Sequence, residues 1–524
     1  MSLGRRRSVA LVALACACSA GTDEGPGGSP TNATTGTTST SDAPTTSSTT
    51  SSATDESSAR SSDPTATTDD NGGPVIPCPQ VHPGAVYDYD DDGMIDVLVD
   101  SPEELAGLAG CTDVFGSLRI RDDAIVDLSP LASLRRVHGA FDLHGDSDWS
   151  GHPVGVLSLA GLQSLEYVRD IRITATRLTD LAGLEGLTEI PGDVEISQHW
   201  QLESLEALRN LRTVGGALEI HECPALADLD GLRGLEAVGV RLFLGELPIS
   251  SLHGLEALTE IGSPGGESRL TLYYLGELTA LDALAGVEWR PEHEVWIAGA
   301  PITDLQLFAG VEALTSLDLT DNWKLTGLAG LESLGVVHDA LTLCRNNDLE
   351  SLDALVGLHS VGSLSIESSA ITDLGPLPSL TGIDALRLTR NPALASLSRL
   401  VGVTSIGALA LEFNPALTGL PELAALAQVD GDLELRSNDG VTSLADLSAL
   451  TSVGGRLAVV YNAEILQAEA EAWGAAIEVG EGRKIVANKG YDAPLLDPCP
   501  WANDGECDAK ICAPATDGVD CLSD

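Results

Sequence analysis

The sequence predicts a repeat solenoid built around one long parallel β-sheet, and three observations carry that prediction. First, a short alternating stretch keeps returning: "GSLRI" near residue 118 comes back as "GALEI", "GDLEL" and "GRLAV". The first inward residues of these stretches are Leu118, Phe141, Ile171, Val194, Leu218, Leu242, Leu270, Val295, Leu317, Leu341, Leu364, Leu386, Leu409, Leu433 and Leu457. Most steps between them are 22 to 25 residues, the period of a leucine-rich coil. Second, 43% of residues are hydrophobic but only 4% aromatic, so aliphatic side chains, mainly Leu, must build the core. Third, 524 residues exceed what one compact core holds, which leaves several domains or a repeat array.

The physical logic of a coil is legible in "LRLTRNPALASLSRLVGVTSI". Leu386 and Leu388 point inward from a short strand while Arg387 points out. Leu394, Leu397, Leu400 and Ile406 fill the rest of the turn. One coil cannot bury this set alone; stacked coils make a continuous core, with short helices or irregular structure on the other face. Three residues past the second inward position comes an amide: Asn322, Asn346, Asn391, Asn414, Asn438 and Asn462. An amide there can hydrogen-bond the backbone of its own turn and of the neighbouring coil. Cys223 occupies the same slot and reads as structural, whereas Cys344 follows Leu343 and is expected to point outward as a reduced thiol. Two longer steps, of 30 and 28 residues, contain the turn-rich "GDSDWSGHPVGV" and "SPGGES" and read as loop insertions.

The chain ahead of the coils divides in two. Residues 1–18 combine the basic "MSLGRRR" with the apolar "SVALVALACA", too short to span a bilayer. Cys16 and Cys18 close this run, which resembles a bacterial lipobox and implies lipidation of one of them. A plain secretory signal is the alternative; the lipoprotein reading is preferred because free cysteines have no evident use there. Residues 19–75 are Ser, Thr, Gly, Pro and Asp with almost nothing apolar, and are expected to be a disordered tether reaching about 40 Å. The solenoid is placed at 76–492 and a small Cys-rich acidic module at 493–524.

"GCTDVFGSLRI", at residues 110 to 120, narrows the reading. It resembles the first-strand motif of receptor L domains, the ligand-binding solenoids of the insulin and epidermal growth factor receptor family. The Gly-Gly turns of "TVGGALEI" and "SVGGRLAV" and the "NPAL" runs strengthen the likeness over residues 76 to 492. The resemblance implies a right-handed coil and a disulfide from Cys111 to an upstream cysteine. Cys78 is the upstream candidate outside the signal, and such a bridge would tie a cap over the exposed first coil. At the other end, "AEILQAEAEAWGAAIEVGEGRKIVANKG" reads as a capping helix carrying Leu466, Ala470, Trp473 and Ile477, then a last short strand. Fifteen strands exceed one receptor L domain, and neither a kinase nor a long furin-like region is present, so receptor signalling is not implied.

Two acidic segments invite a hard cation. In "DYDDDGMID", Asp88, Asp90, Asp92 and Asp96 stand at alternating calcium-loop spacing around Gly93. Val99 replaces the bidentate glutamate, so an acidic turn leading into a cap strand, "MIDVLV", is the competing reading. The C-terminal module has Cys499, Cys507, Cys512 and Cys521, which imply two disulfides of undetermined connectivity in a secreted chain. "NDGECD…C…TDGVDC" resembles a shortened Lin12/Notch repeat, which implies calcium on Asn503, Asp504, Asp508, Asp517 and Asp520. A disulfide knot with acidic turns is the alternative. Calcium is therefore the one cofactor considered.

The charge balance, 28 basic against 78 acidic residues for a formal net charge of −50, argues against nucleic acid, whose phosphates need Lys and Arg. It favours cationic partners. Enzymatic signatures such as HExxH, GxSxG or a phosphate loop do not occur, and an enzyme is not expected. One stretch of the outward sheet face stands out. Phe243, Thr271 and Trp296 share a column on consecutive coils, Tyr273 stands in the next column, and Arg241, Arg269 and Glu294 line the other side. Exposed aromatics with arginine are the composition of an interaction hot spot. A local core covered by the "SPGGES" loop is the alternative. Together these features predict an envelope or surface lipoprotein whose solenoid binds a protein or glycan without catalysis. The rival is a structural, calcium-stabilised envelope spacer.

Overall fold

The computed structural model describes residues 96–145, 155–375, 383–398, 400–486 and 488–490, all within one compact unit. Cys16, Cys18, Cys78, the aspartates at 88, 90 and 92, and the whole 493–524 module lie outside the described residues. Alternation of aliphatic and polar residues produces one sheet of eighteen strands. All its pairings are parallel, from Val97–Val99 against Leu118–Ile120 to Arg456–Val460 against Gly482–Val486. The register is that of the repeat: Leu386 faces Leu364 on one side and Leu409 on the other. Fifteen coils with a predicted inward residue are therefore in step, and the two end strands extend them.

The core runs the length of the stack. Leu394, Leu397, Leu400 and Ile406 are all buried, as expected for one coil, and equivalent leucines of neighbouring coils join them. On a second side of the coils, two-residue strands form two further four-stranded parallel sheets. One comprises Glu189–Ile190, Thr213–Val214, Ala237–Val238 and Glu260–Ile261; the other Ser405–Ile406, Gln428–Val429, Ser452–Val453 and Glu478–Val479. The remaining side is turned by single 3-10 turns such as Asp230–Leu232 and Ala445–Leu447. Short polar side chains two residues ahead start them: Asp228 Oδ1 accepts the Asp230 N–H at 3.1 Å and Ser443 Oγ accepts the Ala445 N–H at 3.1 Å. Such side chains mimic a backbone turn, which is why Asp and Ser recur there.

Each end of the stack needs a cover. At the first, a helix Pro102–Gly107 forms where Ser101 caps it, with Ser101 Oγ accepting the Glu104 N–H at 3.3 Å and Pro at the first helical position. Leu105 and Leu108 seal the core beneath it. Sequence reasoning anticipated a cap strand here and not this helix. At the second end the helix spans Gln467–Ala475. Ala470 is buried and Trp473 packs against the core, as expected, while Ile477, read as part of the helix, is buried just beyond its end. Leu466 is not part of that face: it is exposed, because it precedes the helix and points away from the stack. No described helix is long and apolar enough to cross a membrane.

The three described cysteines depart in part from expectation. Cys223 is buried with a free thiol, as predicted; its Sγ donates to the His221 carbonyl at 3.3 Å, and burial pushes it up to about 11. Cys111 is also buried and its thiol is free, against the bridge expected of it. Cys344 is not an outward reduced thiol. It is fully buried and disulfide-bonded.

Candidate functional site

The outward face of the sheet is where strands present side chains without inward packing, and its columns are fixed by register. The central column across the middle coils reads Glu219, Phe243, Thr271, Trp296 and Asp318. Gly245, Tyr273 and Ala298 form the next column, and Arg241, Arg269 and Glu294 the opposite one. The three columns expected from the sequence are thus brought together.

Their chemistry differs from the expectation in two respects. Thr271 is 3% exposed, so it is a spacer between aromatic neighbours and not a contact surface. The arginines are not free either. Arg241 pairs with Glu219, and Arg269 Nε donates to Glu294 Oε2 at 2.9 Å. These cross-strand pairs frame the aromatic sector, because opposite charges on adjacent strands of one face attract. Arg241 also lies 5.7 Å from the Phe243 ring centroid, in a cation–π contact.

The aromatic residues fall into two groups separated by Thr271. Phe243 meets His221 edge-on at 5.3 Å. Trp296 meets Tyr273 edge-on at 5.4 Å, and Tyr273 meets Tyr274 at 4.5 Å. The neighbours of these rings include glycines where a side chain would collide. A Cβ on Gly245 would approach the Phe243 ring to 2.9 Å, and one on Gly299 the Tyr274 ring to 2.9 Å. Gly299 also sits at φ 70°, which glycine adopts without strain. Tyr274 was missed by sequence reasoning. It follows the second outward position, in a left-handed conformation at φ 48°, and the residue is 49% exposed. The double "YY" was the available signal.

Two polar features complete the sector. The Trp296 indole Nε1 is buried and has no acceptor among the described residues. On the next strand Asp318 faces Trp296, and burial pushes its carboxyl up to about 6 although the Thr320 hydroxyl donates to it at 2.5 Å. Tyr273 is shifted upward too, by burial first and by neighbouring Tyr274 and carboxylates second. The "SPGGES" loop leaves residues 263–267 exposed. The surface offers partly covered rings, one unmet N–H donor and a carboxyl close to neutral-pH titration.

Asp96 is the one described member of the predicted calcium loop. Its Oδ1 accepts the Ser117 N–H at 2.9 Å and its Oδ2 lies 3.4 Å from Arg119, so it is engaged within the first coils. Among the described residues, no group of three or more His, Cys, Asp or Glu side chains is arranged to hold a metal.

No family model matches the chain, and no curated protein matches it significantly. Among solved structures, it is similar to an internalin from Listeria monocytogenes str. 4b F2365, at 16% identity and a TM-score of 0.36, covering 67% of this chain and 87% of that one. It is also similar to a leucine-rich repeat protein of Leptospira interrogans, at 16% identity and a TM-score of 0.38, covering 72% and 92%. A TLR13 solved in complex with ssRNA13 aligns at 14% identity and a TM-score of 0.28, covering 75% and 71%. With scores this low, the assignment of a leucine-rich solenoid rests on the chain's own period and strand register.

Proposed function

We propose that this chain is a non-catalytic recognition solenoid that binds a protein or glycan ligand on the outward sheet face at Phe243, Tyr273, Tyr274 and Trp296. The observation that carries the reading is the Trp296 group: partly exposed rings in mutual edge contact, with an indole N–H that no described residue accepts. A buried donor left unmet costs free energy that a ligand acceptor would recover. Aromatic faces supply large contact area to either a sugar ring or an apolar side chain. The Arg241–Glu219 and Arg269–Glu294 pairs hold the frame on either side.

The same reading places the chain at the cell envelope, held by a lipid on Cys16 or Cys18 and spaced from the surface by the 19–75 tether. Calcium on the acidic loop or the C-terminal module would be structural. The formal net charge of −50 makes a nucleic-acid ligand unfavourable.

The test is binding of the full-length chain to arrayed oligosaccharides and extracellular protein domains, for wild type and for the Tyr274→Ala, Trp296→Ala double variant. The reading requires a ligand that wild type binds and the folded double variant loses. A double variant that keeps the full binding profile would sink it. Anchoring is checked separately by detergent-phase partitioning of Cys16→Ser, Cys18→Ser, which should move to the aqueous phase.

A further inference from the structure

A second feature of the sheet face lies six strands beyond Trp296, roughly 29 Å away at the ordinary strand spacing. Glu434 stands there in the central column, with Ala410 and Ala458 in register on either side. Both alanines are buried, and Glu434 between them is 7% exposed. In the next column, Thr389, Glu412 and Arg436 follow one another across consecutive strands.

The neighbouring charges are already engaged. Arg387 donates to Glu412 Oε1 at 2.8 Å, and Arg390 donates to Glu367 Oε1 at 2.9 Å. Arg436 lies 5.4 Å from the Phe413 ring and 5.8 Å from the Tyr461 ring. Among the described residues, no donor reaches Glu434 Oε1. A second polar group on this face is also unmet: the Thr389 hydroxyl, on a residue 4% exposed and in register with Glu412, has no partner among the described residues. A carboxylate oxygen and a hydroxyl oxygen that receive no donor from the described residues, on the outward sheet face rather than in the core, are an arrangement that a donor-rich cation completes.

We infer that Glu434, with Glu412 and Thr389, forms a subsite for the ammonium group of a lysine presented by a protein partner. An ammonium carries three donors and no acceptor, which matches a cluster with acceptors to spare and its own arginines committed elsewhere. The chain's formal net charge of −50 draws such a partner in. Burial, and the Glu412 charge after it, hold the Glu434 carboxyl above the usual carboxylate range, while Arg436 and Arg387 act in the other direction and Asp432 adds to the rise. Without a cation the site therefore competes with a proton. The subsite does not depend on the aromatic sector, and either can fail alone.

The experiment is calorimetric titration of the full-length chain with tri-lysine peptide at physiological salt. Wild type, Glu434→Gln, Thr389→Val and Trp296→Ala are compared with Glu350→Gln, which removes an exposed carboxylate elsewhere. Glu434→Gln should weaken binding about tenfold, as expected for loss of a charge-assisted bond. Thr389→Val should weaken it by a smaller factor, and Trp296→Ala and Glu350→Gln should leave it unchanged. Wild-type affinity should fall as pH drops below 7, and that dependence should vanish in Glu434→Gln. Thermal unfolding confirms that the near-isosteric variants are folded; if Glu434→Gln is not, Thr389→Val alone decides. Equal affinity in wild type and Glu434→Gln, or an equal loss in Glu350→Gln, would overturn the proposal.

Discussion

The coils from residue 322 onward and those between residues 247 and 300 solve the same problem with different chemistry. Each coil leaves its strand through a residue in the left-handed region, and the next residue turns back into the core. In the later coils that inward residue is an asparagine, except at Ser369. Asn391 Nδ2 donates to the Ile366 carbonyl of the preceding coil at 2.9 Å, and its N–H donates to Asn414 Oδ1 of the following coil at 3.0 Å. Asn414, Asn438 and Asn462 repeat the pattern, and Asn488 and Gln467 end it. Between residues 247 and 300 the slot holds Leu247, Leu275 and Ala300, all buried. Directional amide bonds lock neighbouring coils together in one region; aliphatic packing joins them in the other. The aromatic sector sits on the coils without the amide ladder. Large outward residues occur in both regions, since Phe413 and Tyr461 lie against Arg436 on the amide-ladder coils, but the Trp296 group stands only where the slot is aliphatic.

The comparison is broken most severely by Asn414→Leu. It removes the acceptor for Asn391 N–H and the donor to Leu388, leaving two buried backbone groups unmet. Urea unfolding should show a loss of about 3 kcal/mol, although leucine is native to the same slot at 247 and 275. A loss below that of a conservative surface change would mean the ladder is ornamental. At the border of the two regions, Asp318 titrates higher folded than its usual 3.8. An acid with a raised folded pKa costs stability above that pKa and costs nothing below the unfolded one, so stability falls as pH rises through 4 to 6. Asp318→Asn should therefore raise the melting temperature by about 2–4 °C at pH 8 and leave it unchanged near pH 3.

Ser369 interrupts the ladder: its N–H and hydroxyl both donate to Asn391 Oδ1, at 3.1 and 2.7 Å, but it returns nothing to Asn346. Ser369→Asn should extend the lock by one rung and stabilise by about 1 kcal/mol, measured in the same urea series. The smallest effect is at His199, an earlier occupant of the slot, whose Nε2 lies 2.9 Å from the Ile173 carbonyl as an asparagine amide would. Burial holds its pKa below the ordinary value. A base with a depressed folded pKa keeps its stability above the unfolded pKa and loses it as pH falls. Melting of wild type should decline below about pH 6.5 more steeply than that of His199→Asn, and parallel curves would remove His199 from the account.

Much of this was legible in the residues because a repeat states its own register. Leu386 and Leu388, read as inward, are buried, and the column Phe243, Thr271, Trp296 is real. The amide slot was legible for the same reason, since Asn recurs at one offset. The burial of Thr271, the pairing of Arg269 with Glu294 and the exposure of Tyr274 were not, because each depends on the size and reach of side chains on the neighbouring strands.

By itself, the sequence determined the period, the inward ladder and the place where outward chemistry changes, since hydrophobic alternation at a fixed interval admits one stacking. Only the tertiary structure decided the turns. Twelve residues as different as Ala175, Glu222, Tyr274, Arg345 and Phe413 adopt φ between 48° and 61° after their strands. Asp321 apart, nothing in their side chains favours that region, and each costs about 1 kcal/mol or more there. The next coil compensates, as when the Tyr274 N–H reaches the Ala298 carbonyl at 2.7 Å and the Phe413 N–H reaches Arg436 at 2.8 Å. A conformation that no residue type signals is imposed because a buried backbone donor has one acceptor within reach, on the strand beside it.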